Sequence, residues 1–243
     1  MKKAIVLSSG GVDSTVCVAM AVANFGAENV VTVSIFYGQK HDKELQCARK
    51  VADFYKLRHY EFDLSSVLQF SNCSLLVQST QAIEHKSYAE QIADNISKEK
   101  QRENVDSAMA KGKVSTYVPF RNGLMLSVCA SLAQSIFEND DVEIYIGAHG
   151  DDAAGNAYAD CSESFVNTMS QAISIGTYQQ VKVTAPFAGL SKAEVVKKGL
   201  VLDAPFELTW SCYEGGEKPC GTCGTCIDRS RAFSLNKAKD PAL

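Results

Sequence analysis

The sequence predicts a doubly wound α/β fold, a mostly parallel sheet with helices on both faces, followed by a cysteine-rich C-terminal module. Three observations carry that expectation. Short β-branched runs alternate with stretches of helical periodicity. The runs are nearly continuous in apolar residues, as strands covered on both faces require. Four of the nine cysteines crowd between Cys212 and Cys226.

Lys2 to Leu7 reads as the first strand, ending in a Gly-rich turn. A helix follows from Ser14 to Phe25, with Val16, Met20 and Ala23 on one face and Gly26 as its stop. Val30 to Phe36 is a buried strand. His41 to Leu57 places Leu45, Ala48, Val51, Ala52 and Tyr55 at helical spacing, and His59 to Leu64 is a third strand. Asn122 to Phe137 is helical, with Met125, Cys129, Leu132 and Ile136 on one stripe. Val142 to Ala148 is a strand, Ser162 to Ile175 a helix, and Val181 to Ala185 the last strand. Ser191 to Glu194 is a capping box, serine at the N-cap and glutamate three residues on, opening a helix with Val195, Val196 and Leu200. Ligands of such sheets sit beyond the carboxyl ends of the strands. The loops at Ser8, Tyr37, His149 and Pro186 are therefore expected to converge on one crevice.

Two units are expected: residues 1–205 as the nucleotide-binding α/β domain and 206–243 as a loop-rich metal module packed on it. Between about 65 and 114 periodicity fails and charge is dense. That stretch reads as a solvated helical excursion, or in a sharper reading as a lid or an arm toward a second subunit.

Composition bounds the function. A hydrophobic fraction of 46% and a charged fraction of 21% are ordinary for a soluble globular chain. A net charge of −4 provides no overall field for a nucleic-acid backbone, so a small charged substrate is expected and no nucleic-acid partner. The apolar run after Lys2 and Lys3 is too short for a signal core or a membrane span, which points to the cytoplasm and to no membrane partner.

Two motifs carry chemistry. Ser9-Gly10-Gly11-Val12-Asp13-Ser14 lies between a strand and a helix. Its glycines permit a tight turn, and the N–H groups at a helix start face anionic oxygens. Neither the lysine of a Walker A loop nor GxGxxG is present. The second motif, C-x₇-C-x₂-C-x₂-C over Cys212, Cys220, Cys223 and Cys226, suits a closed four-thiolate zinc site, with redox thiols or a site of only three ligands as alternatives. Cys17, Cys47, Cys73, Cys129 and Cys161 are scattered and read as buried free thiols.

SGGVDS is similar to the signature of the PP-loop pyrophosphatase superfamily, which implies an adenine nucleotide alpha hydrolase-like fold that binds ATP and cleaves between its α- and β-phosphates. Thr209 to Phe233 (TWSCYEGGEKPCGTCGTCIDRSRAF) resembles the C-terminus of the 7-cyano-7-deazaguanine synthase family of queuosine biosynthesis. So do Phe36 to His41, Val118 to Asn122, Tyr158 to Cys161 and Pro186 to Glu194. Phe120, Ala159 and Ser162 depart from the family pattern.

That resemblance implies a ligase acting on 7-carboxy-7-deazaguanine and ammonia, through an adenylated carboxylate and an amide, and commonly a homodimer. ATP and Mg²⁺ would be held by Ser8, Ser9, Gly10, Gly11, Val12, Asp13, Ser14 and Thr15. Asp13 and Ser14 are also expected in catalysis, with Lys192 neutralising phosphate charge and Arg121 pairing with a phosphate or the substrate carboxylate. Asp160 is expected to accept from a guanine-like edge while Tyr158 stacks on the ring. His149 and Asp151 are also expected at the substrate, and with Asp152 near a metal or a moving proton. The alternatives are another PP-loop ligase, a tRNA-thiolating enzyme, or a zinc-ribbon binding module on an inactive nucleotide fold. Thiolation needs a free cysteine pair, whereas the clustered thiols are assigned to metal. The binding module draws support from Arg229, Arg231, Lys237 and Lys239.

Overall fold

A computed structural model describes residues 2–100, 112–154 and 157–242. Five strands form one parallel sheet: β1 (Lys2–Leu7), β2 (Val30–Phe36), β3 (Arg58–Asp63), β4 (Asp141–Tyr145) and β5 (Val181–Thr184). Their order is β3-β2-β1-β4-β5. The chain winds outward from β1 through β2 to β3, then returns to build β4 and β5 on the other side. The turn-around lies between β1 and β4, where the connections diverge and open a crevice.

The helices are α1 (Val12–Phe25), α2 (Lys43–Phe54), α3 (Ser65–Leu68), α4 (Tyr88–Lys100), α5 (Arg121–Ile136), α6 (Gly150–Ala153), α7 (Glu163–Gly176), α8 (Lys192–Val201) and α9 (Gly224–Leu235). One face of the sheet buries Val12, Val16, Val51, Val195, Phe206 and Phe233 beneath α1, α2, α8 and α9. The other buries Ile5, Val33, Leu126, Cys129, Ile144 and Ile173 beneath α5 and α7. Ala4, Ile5 and Val6 are fully buried on alternate faces, which explains why β1 reads as a continuous apolar run rather than as alternation.

Most expected elements fall within a few residues of their observed bounds, and the differences have physical causes. Helix α1 starts at Val12 rather than Ser14, because Gly11 takes the N-cap position with no side-chain cap. Strand β4 ends at Tyr145, and Ile146 only donates on to the Thr184 carbonyl before the chain leaves the ladder. The Ser191 capping box is present as expected, with reciprocal bonds to Glu194. Ser162 likewise caps α7.

The C-terminal segment is more ordered than loop-rich. Helix α9 packs on α8, and Phe233 meets Phe206 edge-on at 5.2 Å. Arg229 is 4% exposed and grips Asp240 through two bonds of 2.6 and 2.9 Å. It also reaches the Phe206 carbonyl and the Ser211 hydroxyl. This arginine is therefore a buried tie within the fold and is withdrawn from any nucleic-acid surface. A charged residue inside the apolar stripe also hides the helix from a periodicity reading.

The stretch from 65 to 114 is not a detached excursion where it is described. Ile83 packs on Cys212, Cys223 and Cys226. His85 bonds Thr222 at 2.7 Å and Glu214 at 3.1 Å. A Cβ on Gly224 would lie 3.3 Å from both Gln91 and Tyr88, so α4 sits directly on the cysteine knuckle. Residues 101–111 of that stretch lie outside the described residues.

Candidate active site

The crevice at the β1–β4 divergence is a cavity of about 230 Å³. Its floor is apolar, from Leu7, Val33, Ile35 and Ile146 at the strand ends and Met125 of α5. The loops after Leu7, Phe36 and Tyr145 supply Ser8, Tyr37 and His149 to its rim. Pro186 does not line it; its neighbour Phe187 instead bridges to His149.

At one end lies the loop from Ser9 to Ser14. Ser14 Oγ accepts from the Ser9 amide at 3.2 Å and donates to the Gly11 carbonyl at 3.2 Å, closing the turn. Gly11 contributes no side-chain cap, so the first-turn N–H groups are left for a ligand. Gly10 has φ +80°, and a Cβ there would lie 2.0 Å from the Glu44 carbonyl oxygen and 2.6 Å from the Ala48 amide. Glycine is required because α2 packs directly on this turn. Gly10 and Thr15 sit behind the cavity wall, and the fully buried Thr15 hydroxyl has no hydrogen-bond partner among the described residues.

Lys192, at the start of α8, donates its ammonium to Asp13 Oδ2. His149 Nε2 stands 3.9 Å from Asp13 and 3.4 Å from Asp152. Burial pushes the Asp13 carboxyl up, but Lys192 and His149 outweigh it and hold it below its ordinary range. Asp152 and Asp228, which also line this end, are pushed up by burial. Asp13 Oδ1 and His149 Nδ1 are buried without partners among the described residues. Open buried polar atoms beside a helix start are the chemistry by which a fold can hold a cation and its anionic ligand.

The other end is aromatic. Tyr158 bonds Thr116 at 2.5 Å and Tyr88 at 3.3 Å, and Tyr88 donates to Tyr213 at 2.9 Å. Burial raises the pKa of each of these phenols and keeps them neutral donors. Arg121 lies over the Tyr37 ring, 5.2 Å from its centroid, and donates to its hydroxyl at 3.3 Å. Burial raises Tyr37 to about 12. Burial likewise raises the neighbouring Glu44 carboxyl to about 7, with Arg121 opposing.

The structure thus brings Ser8, Ser9, Gly11, Val12, Asp13, Ser14, Arg121, His149, Tyr158 and Lys192 onto one cavity. Asp151 and Asp160 stand behind it. Asp151 accepts the Lys192 backbone N–H at 2.8 Å and so positions α8. Asp160 is 4% exposed and its Oδ2 accepts the Asn122 N–H at 2.9 Å, satisfying the start of α5. That bond holds Oδ2 at the helix terminus, whereas the sequence leads one to expect Asp160 at a ring edge. Sequence reasoning missed Glu44, Tyr88, Thr116, Tyr213 and Asp228. Tyr88 lies where periodicity fails and Thr116 just beyond that stretch, and neither carried a signal, whereas Tyr213 lies within the cysteine motif and Asp228 just after it.

The sulfurs of Cys212, Cys220, Cys223 and Cys226 all lie within 4.8 Å of one another, the one such metal-competent group among the described residues. A tetrahedron with metal–sulfur bonds of about 2.3 Å has edges of about 3.8 Å. Amide N–H groups of Cys220 and Cys223 donate to the sulfurs of Cys212 and Cys220, each at 3.3 Å. Such bonds suit thiolates, and the donor set fits a closed site. The remaining five cysteines are free thiols; Cys47 is half-buried and the others buried.

The family model for the queuosine biosynthesis protein QueC matches residues 3–237. The chain belongs to the QueC family. Curated relatives agree over nearly full length. The 7-cyano-7-deazaguanine synthase of Archaeoglobus fulgidus is 36% identical over 99% of this chain and 90% of its own. Those of Caldicellulosiruptor saccharolyticus and Oceanobacillus iheyensis are each 37% identical, covering 98% and 99% of this chain and 94% and 97% of theirs. In this QueC family member no described helix is long and apolar enough to cross a membrane.

Proposed function

We propose that the protein is an ATP-dependent ligase that converts 7-carboxy-7-deazaguanine and ammonia to 7-cyano-7-deazaguanine. The observation that carries this reading is the uncapped start of α1, with Lys192 paired to Asp13 beside it, at one end of a cavity whose other end is aromatic. A bare carboxylate is a poor acylating agent. Attack of its oxygen on the α-phosphate of ATP expels pyrophosphate and gives an acyl-adenylate. Ammonia displaces AMP to give the amide. A second adenylation, now at the amide oxygen, permits loss of AMP and formation of the nitrile. The chemistry calls for no enzyme nucleophile, so the protein contributes position and charge.

Ser9, Gly11, Val12 and Ser14 offer donors to the departing phosphates, and Lys192 neutralises the charge that develops on them. Asp13, with one oxygen free, would hold Mg²⁺, which supplies further charge neutralisation. His149, beside Asp13 and Asp152, is placed to take protons released from the attacking ammonia. Arg121 meets the acidic side of the deazapurine, and Tyr158 flanks its ring. The four clustered cysteines would hold one structural Zn²⁺, since a closed thiolate shell leaves no position for water. The family resemblance supports a cytoplasmic homodimer, which sedimentation would test.

The decisive experiment is mass spectrometry of products after incubation with ATP, ammonium and 7-carboxy-7-deazaguanine. AMP, pyrophosphate and the nitrile are expected. Metal-replete protein that releases none of them with this acid would overturn the reading.

A further inference from the structure

Four carboxylates line the cavity, and three of them gather at its phosphate end. Asp13, Asp152 and Asp228 interact there with Lys192 and His149. Glu44 stands apart. It projects from the first turn of α2, its charged neighbour is Arg121, and Tyr37 and Tyr213 share its end of the cavity. Its carboxylate forms no hydrogen bond or ion pair among the described residues. A carboxylate left half-buried without donors is destabilised, and burial accordingly raises it to about 7. Two donors arriving together with a ligand would relieve that penalty.

We infer that Glu44 is the specificity-determining acceptor for the paired N–H donors of the substrate's purine-like ring, with Arg121 meeting the acceptor next to them. The inference deepens the function proposed above and rests on it. A deazaguanine presents its ring N–H and 2-amino group side by side, and an ionised carboxylate accepts such a pair bidentately. The 6-carbonyl follows on the same edge, with the 7-carboxylate beside it, and one guanidinium fork has donors for both. An acceptor next to a fixed cationic donor is thus the complement of this edge. Asp160 does not line the cavity, and its Oδ2 is held at the start of α5. The position of Glu44 is also fixed relative to the nucleotide loop, since its own backbone carbonyl packs against Gly10. Ring and ATP would therefore be held in one register by a single helical turn.

The test uses the full-length, metal-loaded protein, calorimetric titration, and two ligands: 7-carboxy-7-deazaguanine and its analogue lacking the 2-amino group. Wild-type protein is expected to bind the analogue at least about 100-fold more weakly, because the analogue keeps the ring N–H but leaves the second oxygen of the buried carboxylate unpaired. Glu44→Gln is expected to lose at least about 100-fold in affinity for the natural acid and to discriminate between the two ligands by less than about 5-fold. ATP affinity and the KM for ammonium should stay within about 3-fold. Discrimination retained in Glu44→Gln, or a change confined to ammonium, would overturn the inference. So would wild-type protein that binds both ligands equally, a result that needs no variant to fold. Wild-type protein that neither binds nor turns over the natural acid overturns the proposed function and this inference with it. Normal wild-type turnover with undiminished affinity in Glu44→Gln overturns the inference alone.

Discussion

Lys192 and Asp13 meet across the entrance of α1, joining residues 179 positions apart in sequence. Their side chains are 17% and 21% exposed, so the pair lies between the buried and surface regimes. Lys192→Ala leaves the Asp13 carboxylate facing Asp152 with only His149 in compensation. We expect a loss of about 1 to 3 kcal/mol in stability and a fall of about 100- to 1000-fold in kcat. Urea melts and steady-state AMP release measure the two effects. A variant with full turnover would remove Lys192 from the proposed phosphate site.

Gly10→Ala tests the nucleotide loop without touching a charged group. Its φ of +80° is strained for alanine, and the added methyl would collide with the Glu44 carbonyl and the Ala48 amide. Backbone atoms cannot swing aside as a flexible side chain would. The expected loss is about 2 to 4 kcal/mol, together with weakened ATP binding as α2 is displaced from the loop. Near-native stability with tight ATP binding would mean that the loop can adopt a different turn.

The sheet was legible because its strands are buried on both faces and bounded by clear turns; Val30–Phe36 was read to the residue. The nucleotide loop was legible because strand, glycines and helix follow one another without interruption. What the sequence hid was placement. Asp160 reads as a site acid through the family resemblance of Tyr158 to Cys161, and nothing in its neighbourhood reveals that the N–H of Asn122, 38 residues away, bonds its Oδ2. Glu44 looked like an ordinary charge on an amphipathic helix. Only the packing of α2 against Gly10 turns its side chain to the cavity end that Arg121 occupies. Tyr88 joined the site through α4, a segment whose apolar residues are spaced too irregularly to mark a buried face.

Removing metal from the four-cysteine cluster should disturb the substrate end of the cavity as well as stability. Tyr213 follows Cys212 directly, and its hydroxyl anchors the chain through Tyr88 and Tyr158 to Thr116. Treatment with a strong zinc chelator is expected to expose four additional reactive thiols and release about one metal ion per chain. Affinity for the deazapurine should drop more than affinity for ATP, since the nucleotide loop is built from β1 and α1. Elemental analysis, thiol titration and paired binding measurements check this. An unchanged thiol count after chelation would exclude a metal there.

Glu44 also predicts a pH dependence of opposite sign for stability and for binding. Burial raises its carboxyl from about 4.5 in the unfolded chain to about 7 in the folded one. The folded state therefore holds this proton more tightly, and the resulting stabilisation is complete below about 4.5 and lost as pH rises through about 7. Glu44→Gln should flatten that decline and, above pH 7, be more stable than the parent by about 1 to 2 kcal/mol, allowing for partial solvent screening. Urea melts at pH 5.5 and 8.5 on both proteins measure the difference. Substrate affinity should move the other way in the parent, rising with pH through about 7, because only the ionised carboxylate accepts two donors. A variant that gains stability at high pH while losing the deazapurine would mark Glu44 as a group held at a cost to folding for the sake of recognition. Parallel pH profiles in the two proteins would show instead that Glu44 titrates as an ordinary surface acid.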